Sequence, residues 1–395
     1  MVKENIILKN PEKFLKKCTI SKDKLTKAVQ NATDKLEENT KKYGIAFPGT
    51  CTKDYRYQWG ENNNWECGMF TGCYWLAYEL TGNKFFKDVA EKHFETYKRR
   101  FDEKIGLDDH DVGFVFLPSC VSQYRITGDE KARKTALDAA KYFYETGYSR
   151  EGKFIIRMHT WWDEGPGCRT MMDSLMNAPL FMWAGKELGN NDMFMAGVDH
   201  NLTTEKYLIR DDASSFHHYQ FNPKTAGPVK GLTFQGHSDE SCWSRGHSWG
   251  VYGFPVTYGY TKDERFKELH KNITYFMLNH LPDDCIPYWD YDFTSGDEPR
   301  DSSAGLISLC GMMEMSKYLP ETSEVKTIYK NASAMILDAV IDRCTNNSEN
   351  YDGLVCHVTH ALPQGQGIDE CAPYGDYFYL EALHRFLKGN SNLYW

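Results

Sequence analysis

Two kinds of helical stretch alternate along this chain. Trp65 to Leu80 is almost wholly apolar and breaks at Thr81-Gly82-Asn83. In the stretch that follows, Phe85, Phe86, Val89, Ala90, His93, Phe94 and Tyr97 fall at helical spacing with Lys and Glu between them, so only one face is apolar. The couplet recurs. Asp111 to Ile126 is apolar and Glu130 to Thr146 amphipathic; Met171 to Leu188 is apolar and is followed by Asp192 to Leu208. Trp243 to Tyr260 precedes a helix marked by Phe266, Leu269, Ile273, Phe276 and Met277, and Ser303 to Tyr318 precedes one marked by Val325, Ile328, Ala332, Met335, Ile336 and Ala339. A Lys/Glu-rich helix from about Asp23 to Lys42 opens the series, and an apolar one from about Tyr377 to Leu387 closes it.

A helix that is apolar on every side needs neighbours all round, whereas an amphipathic one covers others with a single face. About six of each, with few convincing strands, predict an all-α fold: an (α/α)6 barrel of six inner and six outer helices. We expect one catalytic domain over residues 1–395, with 1–20 as an N-terminal extension. An open solenoid would repeat at a near-constant period of about 34–47 residues. Here the breaks at Gly82, Gly128, Gly189 and Thr261 spread progressively apart. The extra length lies in connections that precede inner helices, which gathers their residues at one mouth of the barrel.

Composition narrows the function. A net charge of -9 argues against a nucleic-acid partner, which would need a basic face to engage phosphates. The opening MVKENIILKNPEKF lacks the apolar core of a signal peptide, and no run of about 18 apolar residues occurs, so the expected location is the cytoplasm, without membrane contact. The 12 cysteines are scattered through apolar helices and read as reduced core residues. No CxxC pair occurs, and His357-Val-Thr-His360 lacks a partner carboxylate at metal-site spacing, so neither a metal nor another cofactor is expected. The oligomeric state is left open.

At 14% aromatic, the chain has enough rings for a lined cleft as well as a core. Asp173 is the one formal negative charge in an apolar run that extends to Ala184. Burial would raise its pKa, as a general acid near neutrality requires; a helix cap or a core Asp bonded to backbone is the plainer reading. The connections bring Trp65, His110, Asp111, His159, Trp161, Trp162, His217, Gln235, Trp243, Arg245 and Asp301 toward the same mouth. Two acids, histidines, an arginine and several indoles suit a carbohydrate cleft, since indoles stack on sugar faces and Arg clamps a carboxylate. Trp65 and Trp243 could equally be core rings, His110 part of a cap, and His217 and His218 solvated loop residues. Arg245 opposes the dipole at the start of an apolar helix and needs an anionic partner there.

The run NNNWECGMFTGCYWLAYELTGN, the HDVGF of His110 to Phe114, MMDSLMNAPLFMWA around Asp173, GLTFQGHSDESCWSRGHSWGVYGF and the closing GDYFYLEALHRFL resemble the unsaturated glucuronyl hydrolases of glycoside hydrolase family 88. The likeness runs from about Asn64 to Leu387. It implies an (α/α)6 barrel that removes the 4,5-unsaturated uronic acid from the non-reducing end of glycosaminoglycan disaccharides (chondroitin, hyaluronan, heparin) released by polysaccharide lyases. It also implies the chemistry: protonation of the enol ether at C4, addition of water at C5 and collapse of the hemiketal. By motif, Asp173 would be the acid and base and Asp111 a second essential carboxylate. Trp65 would stack on the unsaturated ring, Arg245 and Trp243 would hold its polar groups and face, and His110, His217 and Gln235 would hydrogen-bond sugar and water. Relatives that favour sulfated sugars carry Ser and Lys before the final Gly-Asp-Tyr. This chain has Gln364 and Gln366 there and no Lys, which argues against a strong sulfate preference. The alternatives are an unsaturated rhamnogalacturonyl hydrolase acting on pectin fragments, a sugar 2-epimerase, which would want paired His bases, and a non-catalytic carbohydrate-binding barrel.

Overall fold

The computed structural model describes residues 5–157, 168–346, 348–389 and 395. The helices are α1 (Pro11–Leu15), α2 (Lys22–Tyr43), α3 (Glu66–Thr81), α4 (Lys84–Asp102), α5 (Val112–Phe116), α6 (Ser122–Thr127), α7 (Glu130–Thr146), α8 (Ala178–Leu188), α9 (Asn191–Tyr207), α10 (Ser244–Thr261), α11 (Glu264–Asn279), α12 (Ser302–Ser316), α13 (Glu324–Arg343) and α14 (Pro373–Lys388). The inner ring consists of α3, α5 with α6, α8, α10, α12 and α14, and it closes where α14 packs on α3. Outside it stand α2, α4, α7, α9, α11 and α13. This is the (α/α)6 barrel that the alternating pattern predicts.

The two rings start their helices differently. Every outer helix of the barrel has a side-chain cap, from Ser21, Asn83, Asp129, Asn190, Asp263 or Ser323, that accepts a backbone N–H of the first turn. Among the inner helices only α12 has one, from Asp301. The residues preceding α3, α5, α8, α10 and α14 are Trp65, Asp111, Asn177, Trp243 and Ala372, and none caps with its side chain. Capping there comes from elsewhere in the chain: at α5 the Asn177 Oδ1 accepts the Phe114 N–H, and at α10 the Trp289 carbonyl accepts the Ser244 N–H.

The stretch from Met171 to Leu188 departs from the single helix expected. Arg169–Met171 is a strand, Met172–Met176 a 3-10 turn, and the α-helix begins only at Ala178, with Pro179 in its first turn. Pro179 has no N–H to give to a helix running in from Met171, and the strand finds better partners. It joins a three-stranded antiparallel sheet with His218–Phe221 and Pro228–Leu232, pairing Thr170 with Tyr219 and Met171 with His218. The second inner helix is also interrupted, by a π turn at Leu117–Val121 that contains Pro118. The Gly165 to Gly167 break expected before Asp173, with His159, Trp161 and Trp162, lies outside the described residues.

Inside the ring, away from the mouth, a charged cluster is buried among α10, α12 and α14. Arg385 donates to Glu381 at 3.0 Å, to Glu314 at 3.0 Å and to the Tyr252 hydroxyl at 2.7 Å, and Tyr252 donates to Glu381. Inner helices approach through glycine. A methyl group at Gly311 would strike the Val251 carbonyl oxygen, so α10 and α12 touch backbone to backbone there. Gly311→Ala is expected to lower stability by about 1–3 kcal/mol or more, because backbone cannot yield as a side chain end can. A chemical denaturation midpoint equal to wild type would contradict this packing.

Candidate active site

At the open mouth the chain places two carboxyl groups close together, Asp111 beside the His110 imidazole and Asp173 beside that of His217. Asp111 immediately precedes α5, and Asp173 sits in the 3-10 turn between the strand and α8. Asn177 ties them together: its amide donates to Asp111 Oδ1 at 3.4 Å and to the Asp173 carbonyl at 3.3 Å, and its Oδ1 accepts from Phe114 N–H at 2.8 Å. Gly113 makes room for this, since a side chain there would overlap Asn177. Both aspartate side chains retain 15% exposure, so solvent and substrate can reach them.

Burial sets their chemistry. It raises the Asp173 carboxyl above its ordinary value despite opposing pulls from His110, Arg245 and Arg157. It also pushes Asp111 up to about 7, where the pull of His110 is countered by the charges of Asp109 and Asp173. His110 itself is bonded through Nδ1 to Asp109, with Nε2 lying 3.4 Å from Asp111. Its pKa rises to about 9 against the cost of its own burial, through the two flanking aspartates. Asp109, His110 and Asp111 hold one potential ligand atom each within 4.8 Å of one another, the only such trio among the described residues. The imidazole nitrogens there already face carboxylates.

His217 is held neutral by the opposite effect. It is buried, and burial followed by the neighbouring charges of His218, Arg157 and Arg245 lowers its pKa far below the ordinary value. Its Nδ1 accepts backbone N–H groups from Phe234 at 3.2 Å and Gln235 at 3.3 Å. The proton of the neutral ring must then sit on Nε2, which lies 3.8 Å from Asp173 Oδ2, longer than a hydrogen bond. Neither of those two atoms bonds elsewhere among the described residues, nor do Thr170 Oγ1, Ser174 Oγ or the His218 ring nitrogens. Buried polar atoms without partners are rare, and the facing Asp173 Oδ2 and His217 Nε2 are two of them.

Arg245 has its anionic partner within the chain. Its Nη1 donates to Asp301 at 2.5 Å and to the Thr359 carbonyl at 2.7 Å, while Nη2 donates to the His360 carbonyl. The guanidinium lies over the rings of Trp243 and Tyr374, at 4.5 and 4.8 Å. Trp243 also packs on His217, with ring centroids 4.4 Å apart. Trp65 is half-buried, stacked on Tyr374 at 5.3 Å and tilted against Phe114 at 5.1 Å. Gln235 donates to the His360 carbonyl at 2.7 Å. The eight residues singled out from the sequence therefore lie on one connected set of contacts at the mouth. His357 and His360 go separate ways, His357 to Asp369 at 2.6 Å and His360 to the Tyr374 hydroxyl at 3.1 Å.

Three contributors escaped the sequence. Asn177 and Tyr374 carry no charge to mark them. Glu66 was hidden inside an apolar helix, where an acid in the first turn reads as ordinary dipole compensation. It is 0% exposed, and burial, reinforced by the charge of Asp111, lifts its pKa to about 8 against the opposing pull of its own backbone N–H, Thr50 and Arg100.

Acids of raised pKa beside sugar-sized aromatic walls, at the mouth of a helical barrel, define an enzyme of acid–base carbohydrate chemistry. Comparison with known proteins makes the class specific: the profile of Glycosyl Hydrolase Family 88 matches residues 39–290, and the chain belongs to that family of glycoside hydrolases. It is 41% identical to the unsaturated chondroitin disaccharide hydrolase of Streptococcus pneumoniae, over 98% of both chains. The crystal structure of the unsaturated glucuronyl hydrolase of Streptococcus agalactiae superposes with a TM-score of 0.95 at 38% identity, covering 99% of this chain and 98% of that one. A mutant of that enzyme complexed with dGlcA-GalNAc6S matches with a TM-score of 0.88 at 36% identity over the whole of both chains.

Glu66→Gln tests the electrostatics of the site directly. A carboxyl whose folded pKa is raised binds its proton longer in the folded than in the unfolded chain, so wild-type stability falls as pH climbs from the ordinary glutamate range through about 8. Gln removes that slope. The melting-temperature difference, variant minus wild type, is expected to grow between pH 5 and pH 8.5 or so; a flat difference would mean that Glu66 ionises normally.

Proposed function

We propose that this enzyme hydrates the C4–C5 double bond of an unsaturated glucuronyl residue at the non-reducing end of a chondroitin-type disaccharide, and that Asp173 is its acid and base. The observation that carries this reading is the raised Asp173 carboxyl facing the neutral, Nε2-protonated His217. A carboxyl whose pKa is raised by burial holds its proton to higher pH than an exposed aspartate and can give it to C4. The resulting charge at C5, spread onto the ring oxygen, takes up water, whose proton returns to the Asp173 carboxylate. The C5 hemiketal opens to a ketone, C1 becomes a hemiacetal, and the partner sugar leaves. One carboxyl group serves both proton transfers, which explains the absence of any need for a nucleophile.

Asp111 assists by electrostatics. Two carboxyls that share a site do not ionise independently: charge on either favours the proton on the other, and the proposed mechanism uses the state with the charge on Asp111, beside His110, and the proton on Asp173. Trp65 supplies the face on which the unsaturated ring stacks, with Trp243 across the site. His110, His217 and Gln235 offer hydrogen bonds to sugar hydroxyls and to water. The N-terminal ends of the inner helices at the mouth add a field favourable to the uronate carboxylate. Arg245 adds its positive potential, although its donors on Nη1 are occupied by Asp301 and Thr359.

The loop from His357 to Glu370 bears on the second sugar. It contains no lysine, and the Gln364 amide donates to the Phe234 carbonyl at 2.9 Å. This supports disaccharides with little or no sulfate as the preferred substrates. All twelve cysteines are free and most are buried, which supports a reducing, cytoplasmic setting in which imported disaccharides are consumed. Among the described residues no helix is long and apolar enough to cross a membrane.

The decisive assay follows the ultraviolet absorbance of the double bond in unsaturated chondroitin disaccharide. Wild type is expected to abolish it, and folded Asp173→Asn to do so about 10²–10⁴-fold more slowly. The wild-type rate should decline as pH rises above neutrality, because the donor is the protonated form. Equal rates in both proteins would remove Asp173 from its role. Persistence of the absorbance with wild type across chondroitin, hyaluronan and heparin disaccharides would turn the search to pectin fragments.

A further inference from the structure

The end of the barrel opposite the mouth is closed by a residue that reaches the active-site wall. Trp395 is 7% exposed, and its indole stacks parallel on Phe378, with centroids 6.0 Å apart at 10°. Its ring meets Tyr377 at 5.8 Å, Tyr252 at 6.2 Å and Phe114 edge-on at 5.9 Å and 87°. The indole N–H donates to Glu381 Oε2 at 3.1 Å, which anchors the ring on the buried Arg385 cluster. Trp395 also lines a cavity of about 530 Å³, which it shares with Arg125, Lys186 and Lys317 from the C-terminal ends of inner helices.

Phe114 is the element common to both ends. It lies three residues after Asp111, its N–H is held by Asn177, and its ring packs against Trp65 at 5.1 Å and Trp249 at 5.1 Å. Trp395 touches Phe114 from the cavity side. Take the indole away and that side of the Phe114 ring borders open space, into which it can rotate, releasing the support of Trp65.

We propose that Trp395 is a positioning residue: it plugs the barrel axis from the far end and holds Phe114 against Trp65, fixing the face on which the unsaturated ring stacks. This rests on the reading of Trp65 as the stacking residue. It acts through Phe114 and touches no substrate, so its effect falls on binding more than on proton transfer.

Steady-state kinetics on unsaturated chondroitin disaccharide distinguish this from a purely structural role. Trp395→Ala is expected to raise KM about five- to tenfold with kcat little changed, the scale of one aromatic contact, and Trp395→Phe to stay within about twofold of wild type. If Trp395→Ala does not fold, Trp395→Leu carries the same readout. In a Trp65→Ala background, Trp395→Ala should raise KM no further, because the brace would then support nothing. The proposal fails if Trp65→Ala raises KM while Trp395→Ala lowers only the melting temperature, or if the two effects on KM multiply. If Trp65→Ala leaves KM unchanged, the stacking reading itself falls, and the proposal with it.

Discussion

One buried cation organises the mouth of this barrel. Arg245 joins four parts of the chain: its own helix α10, the start of α12 through Asp301, the loop carbonyls of Thr359 and His360, and α14 through the ring of Tyr374. A guanidinium removed from water is tolerable only when nearly every donor is satisfied, and removing one member of such a pair typically costs about 3–5 kcal/mol. That requirement fixes the loop in place, because its carbonyls are the acceptors Arg245 must have. The loop in turn positions Gln235 and holds Tyr374 behind Trp65. The aromatic walls thus inherit their geometry from an ion pair that takes no part in the proposed proton transfers.

The acids depend on the opposite arrangement. Arg245 and Asp301 neutralise each other, and His110 is engaged by Asp109, which weakens the pull of both cations on Asp173. Had Arg245 lacked Asp301, its charge would have pulled harder on Asp173 and favoured the ionised form. Pairing the strong charges among themselves lets desolvation dominate at the carboxyl that must stay protonated. His217 follows the same logic: two backbone N–H groups fix its tautomer, and burial, helped by nearby positive charge, keeps it neutral.

The barrel was legible in the sequence because its cause is a pattern: apolar helices must be wrapped by amphipathic ones, and glycine breaks mark where the two kinds meet. Asp173 was legible as a carboxylate in apolar surroundings, although the helix assigned to it was not, since Pro179 and a strand partner more than forty residues away decide that local structure. Arg245 was legible as a cation in need of an anion. Which anion was not, because Asp301 reaches it only when α12 packs on α10. Asn177, Tyr374 and Trp395 left no trace of their roles, because an amide and two aromatic rings in apolar company look like core. The motif likeness to family 88 linked the distant carboxylates and aromatics before any geometry did so.

The contrast in capping carries a last argument about how stability and function are divided. A side-chain cap contributes about 1 kcal/mol, and all six outer barrel helices have one, while five of the six inner helices lack one. The omission is confined to the ring whose N-termini line the mouth. At α3 and α10 a Ser or Asp would satisfy backbone donors only by replacing the indoles of Trp65 and Trp243, and before α5 the acid is present as Asp111, whose carboxyl is turned to His110 and Asn177 instead of capping. The one inner helix that is capped, α12, uses Asp301, whose second oxygen is already committed to Arg245. The inner ring therefore gives up helix-end stabilisation where substrate must bind and recovers it elsewhere: in the outer caps, in glycine-mediated helix contacts and in the buried Arg385 cluster.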